Sequence, residues 1–200
     1  MFVKICGLST ADDVRAAVEA GADAVGFVLT PSPRLITPAL AAELAASVPE
    51  GVLTVAVFRG EPMHVVRQAA AESGVRAVQL HGGESPADFA ALRDLGLTLV
   101  RATSAGESDQ LTTGSFGEDL LIVDSPEAGS GKTWDSNALR AGAPSGRWML
   151  AGGLTPDNVA ELVAPLSPWG VDVSSGLERQ RGVKDPRLIK RFVQAVRAIS

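Results

Sequence analysis

One phrase recurs along the chain: a short run of β-branched apolar residues, a polar or glycine turn, then an amphipathic stretch rich in alanine and leucine. That alternation marks a parallel sheet whose strands are covered by helices. The apolar runs predict eight strands, at 2–5, 24–29, 53–58, 77–80, 97–103, 120–123, 148–150 and 170–173. Helices are predicted over 11–20, 38–47, 62–73, 86–95, 156–163 and 186–199. Five of these begin with proline directly inside the start, and Thr37, Ser85, Thr155 and Asp185 stand one place earlier as N-caps. The segment 104–118 is the exception, because its Gly, Ser and Thr content offers no apolar face of helical period. A missing or stunted fifth helix is the expectation there.

Eight βα units in 200 residues average about 25 residues each, at the small end of the (β/α)₈ barrel range. The expected fold is therefore an α/β single-domain (β/α)₈ TIM barrel over residues 1–200 with a reduced fifth helix, and a doubly wound open sheet is the alternative. Hydrophobic residues make up 46% of the chain and charged ones 20%, enough apolar content for one sizeable core. The net charge of -5 has no basic block, which argues against a nucleic-acid surface. A single cysteine cannot form an internal disulfide, no signal-peptide order is present, and no apolar run reaches the roughly 20 residues that cross a bilayer. A cytoplasmic protein with no membrane partner, monomer or homodimer, is expected.

If the fold is a barrel, its active site lies at the carboxyl ends of the strands, and the candidate chemistry gathers there. Cys6 ends strand one and Asp124 ends strand six, a placement suited to a general acid/base pair. The bland alternatives are a cysteine acting as small buried filler and an aspartate capping the next turn. Arg34 follows two prolines in the loop after strand two, where a stiff support suits bidentate carboxylate binding. His81 ends strand four ahead of two glycines, whereas His64 reads as a solvated helix position. Asp172 interrupts strand eight, either as a pocket residue or as a structurally satisfied carboxylate. Lys4 shares a strand face with Cys6 only if alternation holds to the strand end, so its help to the thiol stays open.

Two places could hold phosphate. Gly152, Gly153, Ser174, Ser175 and Gly176 lie after strands seven and eight, the common phosphate site of such barrels, where glycines and a short helix can present backbone amides. The loop with Gly129, Ser130, Gly131, Lys132 and Thr133 imitates a nucleotide-binding P-loop, but Pro126 stands where that pattern needs glycine and removes a backbone donor. A flexible lid explains those glycines as well. No His or Cys spacing suits a metal, and none is expected.

The runs Lys4-Ile5-Cys6-Gly7-Leu8, Val78-Gln79-Leu80-His81-Gly82, Val123-Asp124-Ser125 with Gly129-Ser130-Gly131-Lys132-Thr133, Ala151-Gly152-Gly153-Leu154 and Val171-Asp172-Val173-Ser174-Ser175-Gly176-Leu177-Glu178 together resemble the phosphoribosylanthranilate isomerases of tryptophan biosynthesis. The resemblance implies a (β/α)₈ barrel that carries out the Amadori rearrangement of N-(5-phosphoribosyl)anthranilate without a cofactor. It matches Cys6 to the general base, Asp124 to the general acid and Arg34 to the residue holding the anthranilate carboxylate. His81 and Asp172 match substrate-pocket positions. The chain departs from the family pattern at Trp134-Asp135-Ser136 and at Ala128, in and after the lid loop. The related isomerase of histidine biosynthesis uses an aspartate where this chain has Cys6.

Overall fold

The computed structural model describes residues 1–105, 111–125 and 144–199. Eight parallel strands close in sequence order: β1 (Phe2–Cys6), β2 (Ala24–Val28), β3 (Leu53–Phe58), β4 (Ala77–His81), β5 (Thr98–Ser104), β6 (Leu120–Asp124), β7 (Trp148–Leu150) and β8 (Gly170–Val173). β1 pairs with β2 on one side and β8 on the other, with Lys4 opposite both Ala24 and Asp172. That last pairing closes the barrel and rules out the open doubly wound sheet.

Side chains alternate across each strand, and the barrel sorts them accordingly. Val3, Ile5, Phe27, Leu80 and Leu121 point outward into the layer beneath the helices. Ala24, Val55, Ala77, Val100, Ile122 and Met149 fill the interior. The same alternation carries Lys4, Cys6, Gln79, His81, Asp124 and Asp172 inward, so polar groups replace the apolar filling toward the carboxyl-end mouth.

Helix starts follow the predicted caps where a side chain reaches the first turn. Thr37 caps α2 (Pro38–Ala46) through the Leu40 amide at 3.2 Å, and Asp185 caps α6 (Pro186–Arg197) through the Arg187 amide at 2.9 Å. At α4 (Pro86–Ala90) the Asp88 carboxylate accepts from the Ser85 amide at 2.8 Å. α1 (Ala11–Ala20) has its expected bounds, and Gly21, at φ 91°, ends it.

Several boundaries differ from expectation, three of them with a local geometric reason. Pro62, with an extended ψ of 140°, precedes α3 (Met63–Ser73) instead of opening it. The helix predicted over 86–95 is α4 followed by a separate 3₁₀ turn, Arg93–Leu95, where Arg93 is drawn to Asp119 and Asp94 to Arg67. The helix predicted from 156 starts late, as α5 (Val159–Val163). Asn158 holds the preceding residues as a turn by accepting from the Thr155 amide at 2.7 Å and donating to the Gly153 carbonyl at 2.9 Å.

After β5 the described residues 111–119 form turns without a helix, as the composition of that segment predicts. One element had no sequence signal, the small hairpin of β9 (Glu178–Gln180) and β10 (Val183–Lys184). Its turn residue Gly182 has φ 83° and lies so close to the arginine loop that a Cβ would stand 2.6 Å from the Pro33 carbonyl oxygen. Glycine is the residue that permits both. No helix among the described residues is long and apolar enough to cross a membrane.

Candidate active site

Cys6 is the last residue of β1, nearly buried and facing the barrel interior. Opposite it on β2 stands Gly26. A Cβ on Gly26 would lie 2.9 Å from the Cys6 sulfur and 3.4 Å from Lys4 Nζ, so the missing side chain makes room for thiol and ammonium together. Lys4 is 1% exposed and donates to Asp172 Oδ1 at 2.8 Å across the β1–β8 pairing. Burial pushes the Lys4 ammonium toward losing its proton, but the charges of Asp172 and Cys6 outweigh that and raise it above its ordinary value.

Asp124 ends β6 on the same mouth. Burial raises its carboxyl above the usual aspartate value; Asp172 adds to the rise, while His81, the Ser125 amide and Arg59 oppose it. His81 Nε2 stands 3.8 Å from Asp124 Oδ2, and the Ser125 amide donates to Oδ1 at 2.8 Å. Gly152, at φ 89°, abuts this group, and a Cβ there would fall on Asp124 Oδ1 and within 2.6 Å of the Ser125 nitrogen. Gly152 therefore also makes space for the carboxyl, a role separate from any phosphate.

Arg34 crosses the end of β1. A Cβ on Gly7 would stand 2.5 Å from Arg34 Cδ, and Gly7 has φ 75°, so glycine is needed there twice over. The guanidinium binds Glu178 through two nitrogens, Nε at 2.5 Å and Nη2 at 3.0 Å. Glu178 also accepts from Lys184 Nζ at 3.0 Å and from the Gly182 amide at 2.9 Å. Burial alone would push the Glu178 carboxyl up, yet Arg34, Gly182 and Lys184 bring it down to about 2. Arg34 is thus held rigidly by a bidentate partner, and Nη1 is its one nitrogen that makes no contact with Glu178.

The loops after β7 and β8 pack on each other. Gly153 has φ 66°. Ser175 opens the 3₁₀ turn Ser175–Leu177, the short helix expected after strand eight. Gly176 lies directly against the preceding loop, where a Cβ would fall on the Leu154 carbonyl oxygen and 3.3 Å from Thr155 Cγ2. Behind them Lys184 donates to the Ser174 carbonyl at 2.9 Å and to its hydroxyl at 3.2 Å. A buried ammonium therefore backs this loop pair, although neither loop contains a basic residue. Burial lowers Lys184 below its ordinary value against the pull of Glu178 and Cys6.

The barrel thus brings Cys6, His81, Asp124 and Asp172 to one mouth, rimmed by Arg34 and by Gly152, Gly153, Ser174, Ser175 and Gly176. Gly129, Ser130, Gly131 and the departures at Ala128, Trp134 and Ser136 lie outside the described residues. A cleft of about 590 Å³ opens beside His81, lined by Arg59, Gly82, Ser104 and Phe116 among others. A second, of about 430 Å³, lies at the amino-end face around Phe2, Arg76, Arg147 and Trp169, away from every candidate site residue. Among the described residues no cluster suits a metal ion.

Sequence reasoning passed over Glu178, Lys184 and Gly26. A glycine inside a buried β-branched strand was a readable sign of close approach at Gly26. Lys184 carried no sign, because only the hairpin folds it back onto the mouth.

A closed βα barrel with a carboxyl raised by burial, a thiol beside buried ammonium groups and paired glycine loops at its carboxyl-end mouth has the build of a barrel enzyme suited to acid/base chemistry. Comparison with known proteins narrows the class. A sequence model of the N-(5'-phosphoribosyl)anthranilate isomerase family matches residues 3–195. The N-(5'-phosphoribosyl)anthranilate isomerase of Symbiobacterium thermophilum is 40% identical, with 100% of both chains covered. The crystal structure of TrpF from Jonesia denitrificans is 48% identical, covers 100% of this chain and 98% of that one, and has a TM-score of 0.93. A phosphoribosyl anthranilate isomerase solved in complex with reduced 1-(o-carboxyphenylamino)-1-deoxyribulose 5-phosphate is 30% identical over 99% of both chains, with a TM-score of 0.87. The chain belongs to the N-(5'-phosphoribosyl)anthranilate isomerase family and is an isomerase of tryptophan biosynthesis.

Proposed function

We propose that the chain rearranges N-(5'-phosphoribosyl)anthranilate to 1-(2-carboxyphenylamino)-1-deoxyribulose 5-phosphate with Asp124 as general acid and Cys6 as general base. Asp124 protonates the ribose ring oxygen; the bond from that oxygen to C1 breaks and leaves a protonated Schiff base. Cys6, as thiolate, takes the proton from C2 and gives an enolamine. The enol hydroxyl then loses its proton while C1 gains one, which closes the balance and gives the ketone.

The observation that carries this reading is the opposite electrostatic setting of the two groups on one mouth. Burial and Asp172 raise the hold of Asp124 on a proton, whereas Cys6 faces the ammonium groups of Lys4 and Lys184. A donor and an acceptor are what this rearrangement requires. Arg34 holds the anthranilate carboxylate from its Glu178-braced position, and His81 orients Asp124. The phosphate is met by amides of the 152–155 and 174–177 loops, with the Lys184 charge behind Ser174.

The direct assay follows loss of fluorescence of freshly made phosphoribosylanthranilate, with the histidine-pathway aminoaldose as a parallel substrate. Turnover of the first and none of the second is expected. No turnover of the first, or turnover of the second at an equal rate, overturns the reading.

A further inference from the structure

We propose that Lys4 is a positioning residue for the reaction, its buried ammonium supplying the positive charge that holds the Cys6 sulfur as a thiolate. This rests on the reading of Cys6 as the base. Lys4 and Cys6 lie two residues apart on the inward face of β1, and Gly26 leaves the gap in which nitrogen and sulfur both approach one point, at 3.4 Å and 2.9 Å. Asp172 is not among the atoms nearest that point. The carboxylate binds Lys4 from the β8 side at 2.8 Å, which leaves the ammonium with two further N–H bonds.

Stability does not explain the pair. Taking an ammonium and a carboxylate into a barrel core costs more than filling the space with an apolar side chain, and buried ion pairs replaced by hydrophobes are often neutral or more stable. The neighbouring positions of this interior are indeed filled by Ala24, Val55 and Ala77. A positive charge beside a thiol has a definite chemical effect, because the thiolate is the reactive form and an adjacent cation favours it, most strongly where water does not screen.

The other titratable groups tied to this pair are Asp172, which binds Lys4, and Lys184, whose charge also acts on Cys6. Lys184 spends its hydrogen bonds on Ser174 and Glu178, and its charge answers that carboxylate first and Cys6 second. Asp172 keeps Lys4 protonated, since the combined pull of Asp172 and Cys6 exceeds the effect of burial on the ammonium. The same carboxylate pushes Asp124 toward its protonated form. One Lys4–Asp172 pair thus favours the base form of Cys6 and the acid form of Asp124.

Cys6 is the only cysteine of the chain, so alkylation by iodoacetamide reads this sulfur alone. The parent, Lys4→Met and the double variant Lys4→Met with Asp172→Asn are compared at pH 7, each against its own rate when unfolded in denaturant. The double variant removes both charges, so no uncompensated carboxylate stays buried. Both variants are expected to alkylate at least tenfold more slowly than the parent in the folded state, with the unfolded rates equal. Loosening of the barrel would expose the thiol and speed the reaction, the opposite direction. A folded double variant that alkylates at the parent rate overturns the proposal. Cys6→Ser turnover tests the base assignment separately: slow alkylation of the Lys4 variants beside normal Cys6→Ser turnover would keep the charge effect and remove the cysteine from the mechanism.

Discussion

Glu178 gives the sharpest test of the electrostatics. Its carboxyl sits at about 2 against an ordinary glutamate value of 4.5, and its side chain is 5% exposed, so water screens it little. A carboxyl lowered by folding contributes stability that is complete above its unfolded value and is lost as the pH falls through the folded one. At about 1.4 kcal/mol per pH unit, the difference between 4.5 and 2 is worth about 3 kcal/mol at neutral pH. Glu178→Gln removes that contribution and leaves Arg34 and Lys184 facing each other without an anion. Urea unfolding followed by circular dichroism should place the variant about 3 kcal/mol below the parent at pH 7, or roughly 6–12 °C lower in Tm. The gap should fall below half its neutral value by about pH 3 and continue to close toward pH 2. Acid titration of the other carboxylates is common to both proteins and cancels in the difference. A gap that stays constant from pH 7 to pH 3 refutes the argument, because the loss would then come from packing alone.

Cys6→Ser and Asp124→Asn should each lower turnover about 10²-fold or more with the circular dichroism spectrum unchanged; near-normal turnover of either removes that group from the chemistry. Because folding raises the Asp124 carboxyl, the native state binds its proton more tightly than the unfolded one, and the group costs stability above that raised value. Asp124→Asn should therefore melt above the parent at pH 7, with the advantage gone once the pH is below 3.8, where both states are protonated. Arg34→Ala should raise KM for anthranilate-bearing ligands by about 10- to 100-fold, the loss of one charge-assisted contact, and leave inorganic phosphate binding as it was; an equal loss for phosphate contradicts the carboxylate assignment. Gly176→Val, placed against the Leu154 carbonyl, should destabilise the fold by about 1–3 kcal/mol in urea unfolding as well as raise KM, and a variant of parental stability would show that the two loops part without cost.

The barrel was legible because its strands and helices are short and locally consistent. Each apolar run is followed by a turn residue, and the helices behind Thr37 and Asp185 are preceded by their expected caps. Boundaries failed where a side chain made a local bond that propensity does not encode. Asn158 takes up the Thr155 amide and delays a helix that Pro156 advertises. The ends of the strands pointed to Cys6, Asp124 and His81, since alternation and the barrel rule need no tertiary detail. What brings Lys184 against Ser174 and Glu178 against Arg34 does need it. Those contacts depend on a seven-residue hairpin turning at Gly182, and its strands are too short to announce themselves.

The Lys4–Asp172 ion pair spans 168 positions of sequence and crosses the seam where β1 meets β8. The first strand of the chain to be synthesised therefore meets its electrostatic partner only after the eighth has emerged. Until the ring shuts, Cys6 stands next to a lysine in water, where the ammonium is screened and the sulfur behaves like that of any solvated cysteine. On the role proposed for Lys4, barrel closure is what arms the thiol. A nascent chain, a truncated product or a nicked barrel with β8 displaced lacks the Lys4–Asp172 pair across the seam, so on that proposal the reactive form of the enzyme and its completed architecture come into being together.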